Sequence, residues 1–485
     1  MFRSLSAAAF LAAATLPVPS DAMEPVDLAR LLLSVLPEGV ATHTGLSRDD
    51  GPGATILDMQ LRNAPLELKL GDIAFLRHGD SIRVTFPEDF RALVVDGSHP
   101  EAEGRLRHRN LAIEVLPRAP DLSDARFALR ARRIHGWMET HPRSPRYPGS
   151  QEDAMLSAGG LSGWVDLDGE RVAANLSADS VGAIARSLRD RTTVSAAVRG
   201  LIVGGSVPRS LVALANPSAI LADLFDQGSN ALMVSRRLSF VALERYGGAR
   251  VDIGRSRIFI SLKDGVLNWD QRGAHLHVET ISEDLASGRF DVSVPTFSLQ
   301  ARLPFFPGVE DREAFVRFAI PGIDVSGGLR DLLDPAGALP TTPLGVALDV
   351  TAQMQHPATL EGAISALRGG VGIDRFLQDH VERLDLERIE IREMSISGFG
   401  ATASVTGELS LRDALEMPEG ELMVTVTGLD ALVAAIGEGD LVPRRDIDRA
   451  MLLLGMYFDR DRDGTRTARI LLEDGAIIIN DIPFL

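Results

Sequence analysis

The chain contains no cysteine among its 485 residues. That absence removes thiolate catalysis, disulfides, iron–sulfur clusters and cysteine-ligated zinc together. It also removes a lipoprotein anchor, which needs a cysteine at the cleavage site. Lysine is almost as scarce: Lys69 and Lys263 stand against a total of 50 basic residues, so nearly all the positive charge is arginine. Arginine cannot give up its proton to act as base or nucleophile, and neither lysine stands in a phosphate-binding loop. Positive charge is short overall. A net charge of −17 argues against sequence-independent nucleic-acid binding and gives no help in adhering to anionic headgroups. A G-x-S-x-G elbow and an H-E-x-x-H pair are also absent, so serine-hydrolase and zincin chemistry have no local support.

Long apolar runs are missing too. The longest lies near the start, where Arg3 precedes an apolar stretch over residues 7–16, and Pro17 and Pro19 follow. It is shorter than the roughly 20 residues a spanning helix needs. Ser20-Asp21-Ala22 places small residues where signal peptidase reads, so residues 1–22 are expected to be a secretory signal cleaved after Ala22. The expected address is the periplasm, with no transmembrane anchor in the mature chain.

What is present is a hydrophobic fraction of 45% beside 24% charged residues, enough for a large core and against global disorder. Residues 25–36 carry a helical pattern through Val26, Ala29, Leu32, Leu33 and Leu36. After Asp50-Gly51 the period falls to two. Leu57, Met59 and Leu61 share a face, as do Leu66, Leu68 and Leu70, then Ile82, Val84 and Phe86, then Leu111, Ile113 and Val115. Phe127, Leu129 and Ala131 oppose Arg126, Arg130 and Arg132, a row more simply exposed than ligand-binding. Between residues 135 and 160 the periodicity fades and Pro142, Pro145 and Pro148 take over, so 141–160 is expected to be a loop or linker. It divides an N-terminal half (23–140) from a central region (161–421).

Asp-Gly turns at Asp96, Asp168, Asp264 and Asp474 join alternating segments. Short helical patterns are expected around Asn216-Pro217, over residues 328–333 and over 376–384. Residues 422–485 form a closing module of strand, helix pair and hairpin, whose helices are expected to cap an end through Leu432, Ile436, Ile447 and Leu453. The expected fold class is mainly β (β-rich α+β): long curved antiparallel sheets with short capping helices.

Two clusters invite a metal reading. Asp459, Asp461, Asp463 and Gly464 match the first half of a calcium loop, but the twelfth position is Ile470 where a bidentate glutamate belongs. A solvated turn is the better reading. His275, His277 and Glu279 alternate along one strand face, a spacing that holds zinc if another ligand approaches. The polar outer face of an antiparallel strand accounts for them more simply.

Several stretches resemble a family of exported alphaproteobacterial proteins known as domain of unknown function twenty-one twenty-five. They are Leu332-Leu333-Asp334-Pro335 with Leu339-Pro340, Pro343 and Leu348-Asp349; residues 396–411, punctuated by Gly398, Gly400 and Gly407; and the closing module, with Gly428-Leu429-Asp430 and Asp474-Gly475. The resemblance implies a periplasmic β-rich protein and brings no catalytic residues with it. The long-stranded texture is similar to that of AsmA/TamB-like proteins, whose grooved sheets hold acyl chains. The expectation is therefore a non-enzymatic protein, without cofactor, that binds a lipid or other hydrophobic ligand in an apolar-lined sheet groove. An envelope assembly factor binding a protein partner is the alternative, and a metal-assisted hydrolase the third.

Overall fold

The computed structural model describes residues 23–35, 41–48, 53–63, 66–96, 99–119, 122–140, 152–187, 191–209, 228–263, 266–282, 289–304, 313–327, 330–331, 334–356, 385–411, 418–439, 442–473 and 475–484. Among the described residues, strands account for 74% and helices for 11%, which establishes the mainly-β class. The chain divides into two compact units: Met1–Leu224 with Ser229–Gly248, and Phe225–Gly228 with Ala249–Leu485.

The first unit opens with helix α1 (Pro25–Val35). Its early strands are β1 (Ala41–Thr42), β2 (Gly45–Arg48), β3 (Gly53–Asn63), β4 (Leu66–His78), β5 (Ser81–Thr85), β6 (Asp89–Asp96), β7 (His99–Arg109) and β8 (Ala112–Pro117). Four 17-residue strands follow: β9 (Asp124–Thr140), β10 (Glu152–Asp168), β11 (Arg171–Ser187) and β12 (Thr192–Pro208). Two shorter strands, β13 (Ser229–Ser235) and β14 (Arg237–Glu244), both pair with β12.

The core of this unit sits at one end of the long strands. Helix α1 places Leu28, Ala29 and Leu31 on one face, and these pack with Ile56, Met59, Ile73, Phe75, Ile82, Val84 and Val115. Burying each large aliphatic or aromatic side chain contributes about 1.5–3 kcal/mol, so this cluster is the unit's anchor. The helix is also tied in at its start, where the Arg77 guanidinium donates to the Met23 carbonyl at 2.7 Å. β8 covers the first half of β9 and β7 the second half. The Asp168-Gly169 turn joins β10 to β11, with Gly169 at φ +75° and the Asp168 carboxylate accepting from the Arg171 N–H.

The second unit contains β15 (Gly247–Lys263), which begins at the division. A meander follows, of β16 (Val266–Ser282), β17 (Arg289–Pro304), β18 (Glu313–Gly327), β19 (Leu344–His356), β20 (Asp385–Gly398), β21 (Ala401–Ser410) and β22 (Glu419–Thr427). Each strand from β16 to β22 pairs antiparallel with its neighbour in sequence. Helices α2 (Leu429–Glu438) and α3 (Arg444–Tyr457) come next. They are followed by β23 (Asp459–Arg460), β24 (Arg466–Glu473), β25 (Ala476–Ile479) and β26 (Ile482–Pro483). β24 pairs directly with β22, so the closing module adds strands to the meander's own sheet. Gly428 opens α2 at φ +73°, and a methyl group there would stand 2.1 Å from the Gly400 carbonyl, so glycine is required.

Three expectations change. Residues 152–160 belong to β10, paired on both sides with β9 and β11, so the seam placed at 141–160 does not extend through them. The signal for that break came from Pro142, Pro145 and Pro148, which lie outside the described residues, and from glycines and serines such as Ser157, Gly159 and Gly160, which a sheet accepts. Leu453 does not cap an end: it is exposed, as are Leu452 and Met456 on the same helix. A further hairpin through Asn480 and Asp481, both at positive φ, adds β26 beyond the strand, helix pair and hairpin expected of the closing module. The signal expectation (1–22) and the helical segments at 216–217 and 376–384 lie outside the described residues.

Candidate functional site

The long strands carry one apolar and one polar face, and the register shows how far each extends. In the first unit, Leu106, Gly136, Leu156, Ala183, Ala196 and Phe240 stand opposite one another in succession across β7, β9, β10, β11, β12 and β14. A parallel row runs through Ile134, Ala158, Val181, Val198 and Leu238. Directly opposed residues share a face, so these rows form one apolar surface. Between them, on the other face, run Arg107, His135, Ser157, Gly182, Ala197 and Ser239. The apolar surface is not covered: Leu156 is 47% and Phe240 40% exposed.

The second unit repeats the arrangement on a longer row. Leu299, Phe318, Leu348, Met394, Val405, Val424 and Ala468 are opposed in turn across seven strands, β17 to β22 and β24. The neighbouring row begins Gln300, Arg317, Asp349 and Glu393. Ile396, on the apolar side, is 62% exposed.

A strict two-residue alternation does not describe these strands, because the apolar phase changes partway along each. On β9 it passes from Phe127, Leu129 and Ala131 to Ile134 and Met138. On β10 it passes from Leu167, Val165 and Leu161 to Ala158 and Leu156. At the change stand Gly160 (φ +60°) and, on β12, Gly200 (φ +59°). A left-handed residue does not reverse side-chain direction as an extended one does, so the same face stays apolar past the kink. A methyl group at Gly160 would lie 2.0 Å from Asp179 Oδ2, so the conformation and the close approach both call for glycine. His275 (φ +56°) occupies the equivalent place on β16, between Leu267 and Trp269 on one side and Leu276 and Val278 on the other. On β20 a register shift around Arg392 does the same for Ile389 and Ile391 against Met394 and Ile396.

The polar faces are arginine-rich and internally paired. Arg107 lies over Trp137 at 5.3 Å and Arg126 over Trp164 at 5.1 Å. Arg126, Arg130 and Arg132 are exposed, as expected of an outer strand face. Arg83 donates to Glu114 at 2.7 Å, and that hydrogen bond holds the Glu114 carboxyl below the usual range.

The two metal readings diverge. Asp459, Asp461 and Asp463 do not converge: Asp461 closes a turn with Thr465 and Gly464, Asp463 caps the Thr465 N–H, and Asp459 accepts from Asn480. This is a solvated hairpin turn. His277 and Glu279, by contrast, lie with Asp291 of β17, their ligand-type atoms all within 4.8 Å of one another. His275 is outside that group, because its left-handed backbone interrupts the alternation that would have aligned it with His277. Sequence spacing could not supply Asp291, which reaches Glu279 only through cross-strand register.

Two further polar centres are structural. Asp334 is buried and accepts from the Ala338 and Leu339 N–H groups at 2.8 and 2.9 Å, which holds the Asp334-Pro335 turn. It lines a cavity of about 70 Å³ with Arg330, Thr342 and Phe399, far below the few hundred Å³ of a small-molecule pocket. In the closing module Asp430 takes Arg466 at 3.0 Å and Arg460 beside it. The Arg466 hydrogen bond, then the Arg460 charge, holds the Asp430 carboxyl below its usual range.

No curated protein and no solved structure matches the chain. Residues 259–484, just under half of the chain, match a family model described as an uncharacterized protein conserved in bacteria, DUF2125.

Proposed function

We propose that this is an exported, non-enzymatic protein that lays the hydrocarbon of a lipid or similar ligand along its apolar sheet faces. The observation that carries this is the seven-strand row from Leu299 to Ala468, apolar at every position, beside a polar row on the reverse. Along the paired stretches of those strands the backbone is committed to the ladder, so the face offers an occupant mainly apolar contact area. A peptide lying flat there would leave its own amides unpaired at a cost of roughly 1–3 kcal/mol each, whereas a hydrocarbon has none to satisfy. The smaller side chains of the first unit (Ala158, Ala183, Ala196) leave depth between flanking Leu156 and Phe240. Export fits the basic, apolar and small-residue order of the first 22 residues. It also fits the burial of Met23 immediately after the proposed cleavage point.

Native mass spectrometry and solvent extraction of protein purified from the periplasm test this. Co-purifying lipid is expected, and the double variant Leu156→Asp/Met394→Asp should lose it while keeping its sheet. Protein that takes up no lipid from vesicles or a fluorescent fatty acid would overturn the proposal. N-terminal sequencing of the exported protein should begin at Met23.

A second reading, an envelope protein partner, is favoured by one feature. Helix α3 exposes Leu452 (65%), Leu453 and Met456 together. Crosslinking from α3 in whole cells would support it by recovering one stoichiometric protein.

A further inference from the structure

His277, Glu279 and Asp291 stand together on the polar face of β16 and β17, outside the apolar surface just described. Glu279 and Asp291 are direct cross-strand partners. Two like charges in that relation repel and call for a cation between them. The chain supplies one: Arg289 Nε lies 3.2 Å from Glu279 Oε1 and 3.0 Å from Asp291 Oδ2, and its Nη2 donates to Asp291 Oδ1 at 3.1 Å, so a metal would have to take both Asp291 oxygens from it. One guanidinium against two carboxylates leaves a residual negative charge at the cluster. His277 adds something the guanidinium has no use for. Its Nε2 lies 3.6 Å from Asp291 Oδ1, beyond hydrogen-bonding distance. That separation is close to the roughly 3.4 Å between two ligand atoms on a tetrahedral ion with bonds of about 2.0–2.1 Å.

The three side chains come from two strands locked in continuous register, with Val278 and Val292 paired on the opposite face beneath them. The backbone therefore holds the donors in place, and only side-chain torsions separate the present positions from a closed triad. Glu279 and Asp291 are largely sheltered, their side chains each 17% exposed, while Arg289 is the most exposed member. The member best able to swing out is thus the cation.

We propose that His277, Glu279 and Asp291 form a divalent transition-metal site of the zinc class, with Arg289 as the resident cation that the metal displaces. One nitrogen and two carboxylate oxygens suit such an ion and leave a coordination position for water or an anionic group. The metal would replace one positive charge with two and neutralise both carboxylates.

The test uses the full-length purified protein, stripped with chelator and titrated with Zn²⁺ by calorimetry and with Co²⁺ by visible absorption. Stoichiometric binding is expected, with a Co²⁺ band that reports low coordination number. His277→Ala and Asp291→Asn should each weaken binding by about tenfold or more, the scale on which metal sites respond even to loss of a supporting partner. Arg289→Gln should tighten it, because the competitor is gone. Circular dichroism confirms the sheet in each variant. Wild-type affinity no better than that of His277→Ala would overturn the site. An Arg289→Gln protein that binds metal more weakly than wild type would overturn the displacement.

Discussion

Replacing Gly160 by alanine should cost the first unit stability in two separable parts. The first is backbone: Gly160 sits at φ +60°, where a side chain meets its own carbonyl and costs about 1–2 kcal/mol. The second is contact, since the new methyl would stand 2.0 Å from Asp179 Oδ2 and 3.0 Å from Asp179 Cβ. Asp179 is exposed, so its carboxylate can swing away, and the contact should add less than the backbone term. Gly169 provides the control. It lies at φ +75° with open space where a methyl group would stand, so Gly169→Ala carries the backbone cost alone. The expected order of stability is wild type, then Gly169→Ala, then Gly160→Ala. In an Asp179→Ala background the two glycine variants should approach each other, a coupling that a double-mutant cycle reads directly. Urea unfolding gives the free energies, and amide exchange on β10 and β11 locates them. A Gly160→Ala protein as stable as wild type would refute the reasoning, and so would a penalty indifferent to Asp179.

Other outcomes follow from single contacts. His108 is buried, with Nε2–H donating to the Pro87 carbonyl and Nδ1 accepting from the Leu111 N–H at 3.3 Å. His108→Phe should therefore cost about 1–3 kcal/mol through the groups left unpaired, and an unchanged melting temperature would sink that account. The Asp430 carboxyl is held low by Arg466 and Arg460, so its folded pKa lies below its unfolded one. Its contribution is complete above the unfolded value of about 3.9 and disappears as pH falls through the lower folded value. Acid titration of α2 docking, followed by NMR, should show that dependence in wild type and lose it in Asp430→Asn. Glu421, held low by its hydrogen bond from Arg469, should move the same way, and Glu421→Gln should remove its share.

How much of this could be read from residues alone depends on how local the cause is. Apolar Ile82 and Val84 alternating with polar Ser81, Arg83 and Thr85 announce a strand, and Asp168-Gly169 announces its turn, because both signals lie within a few residues. The helices at 25–35, 429–438 and 444–457 were legible for the same reason. The continuous apolar face was not. Gly160 and Gly200 in the first unit and His275 in the second shift the phase of the alternation, so a count at fixed period sees two weak patterns where each unit, taken by itself, has one surface. The His277–Glu279–Asp291 cluster was half legible. Two members share a strand, while the third arrives by a pairing that only the register specifies, and His275 drops out through a backbone angle that spacing does not encode. Leu453 failed as a capping residue because helical periodicity shows that a face is apolar without showing that anything covers it.

The sequential pairing of β16 through β22 has a consequence for how such a protein changes over generations. Each strand is joined to the sheet by its neighbours in the chain, so one two-strand segment can be inserted or lost with little effect on distant contacts. Each insertion would lengthen the apolar lane by about 10 Å, two strand spacings of about 4.8 Å. The capacity of the face is therefore a quantity that grows in fixed steps, set by the number of hairpins a gene encodes rather than by the redesign of any one residue.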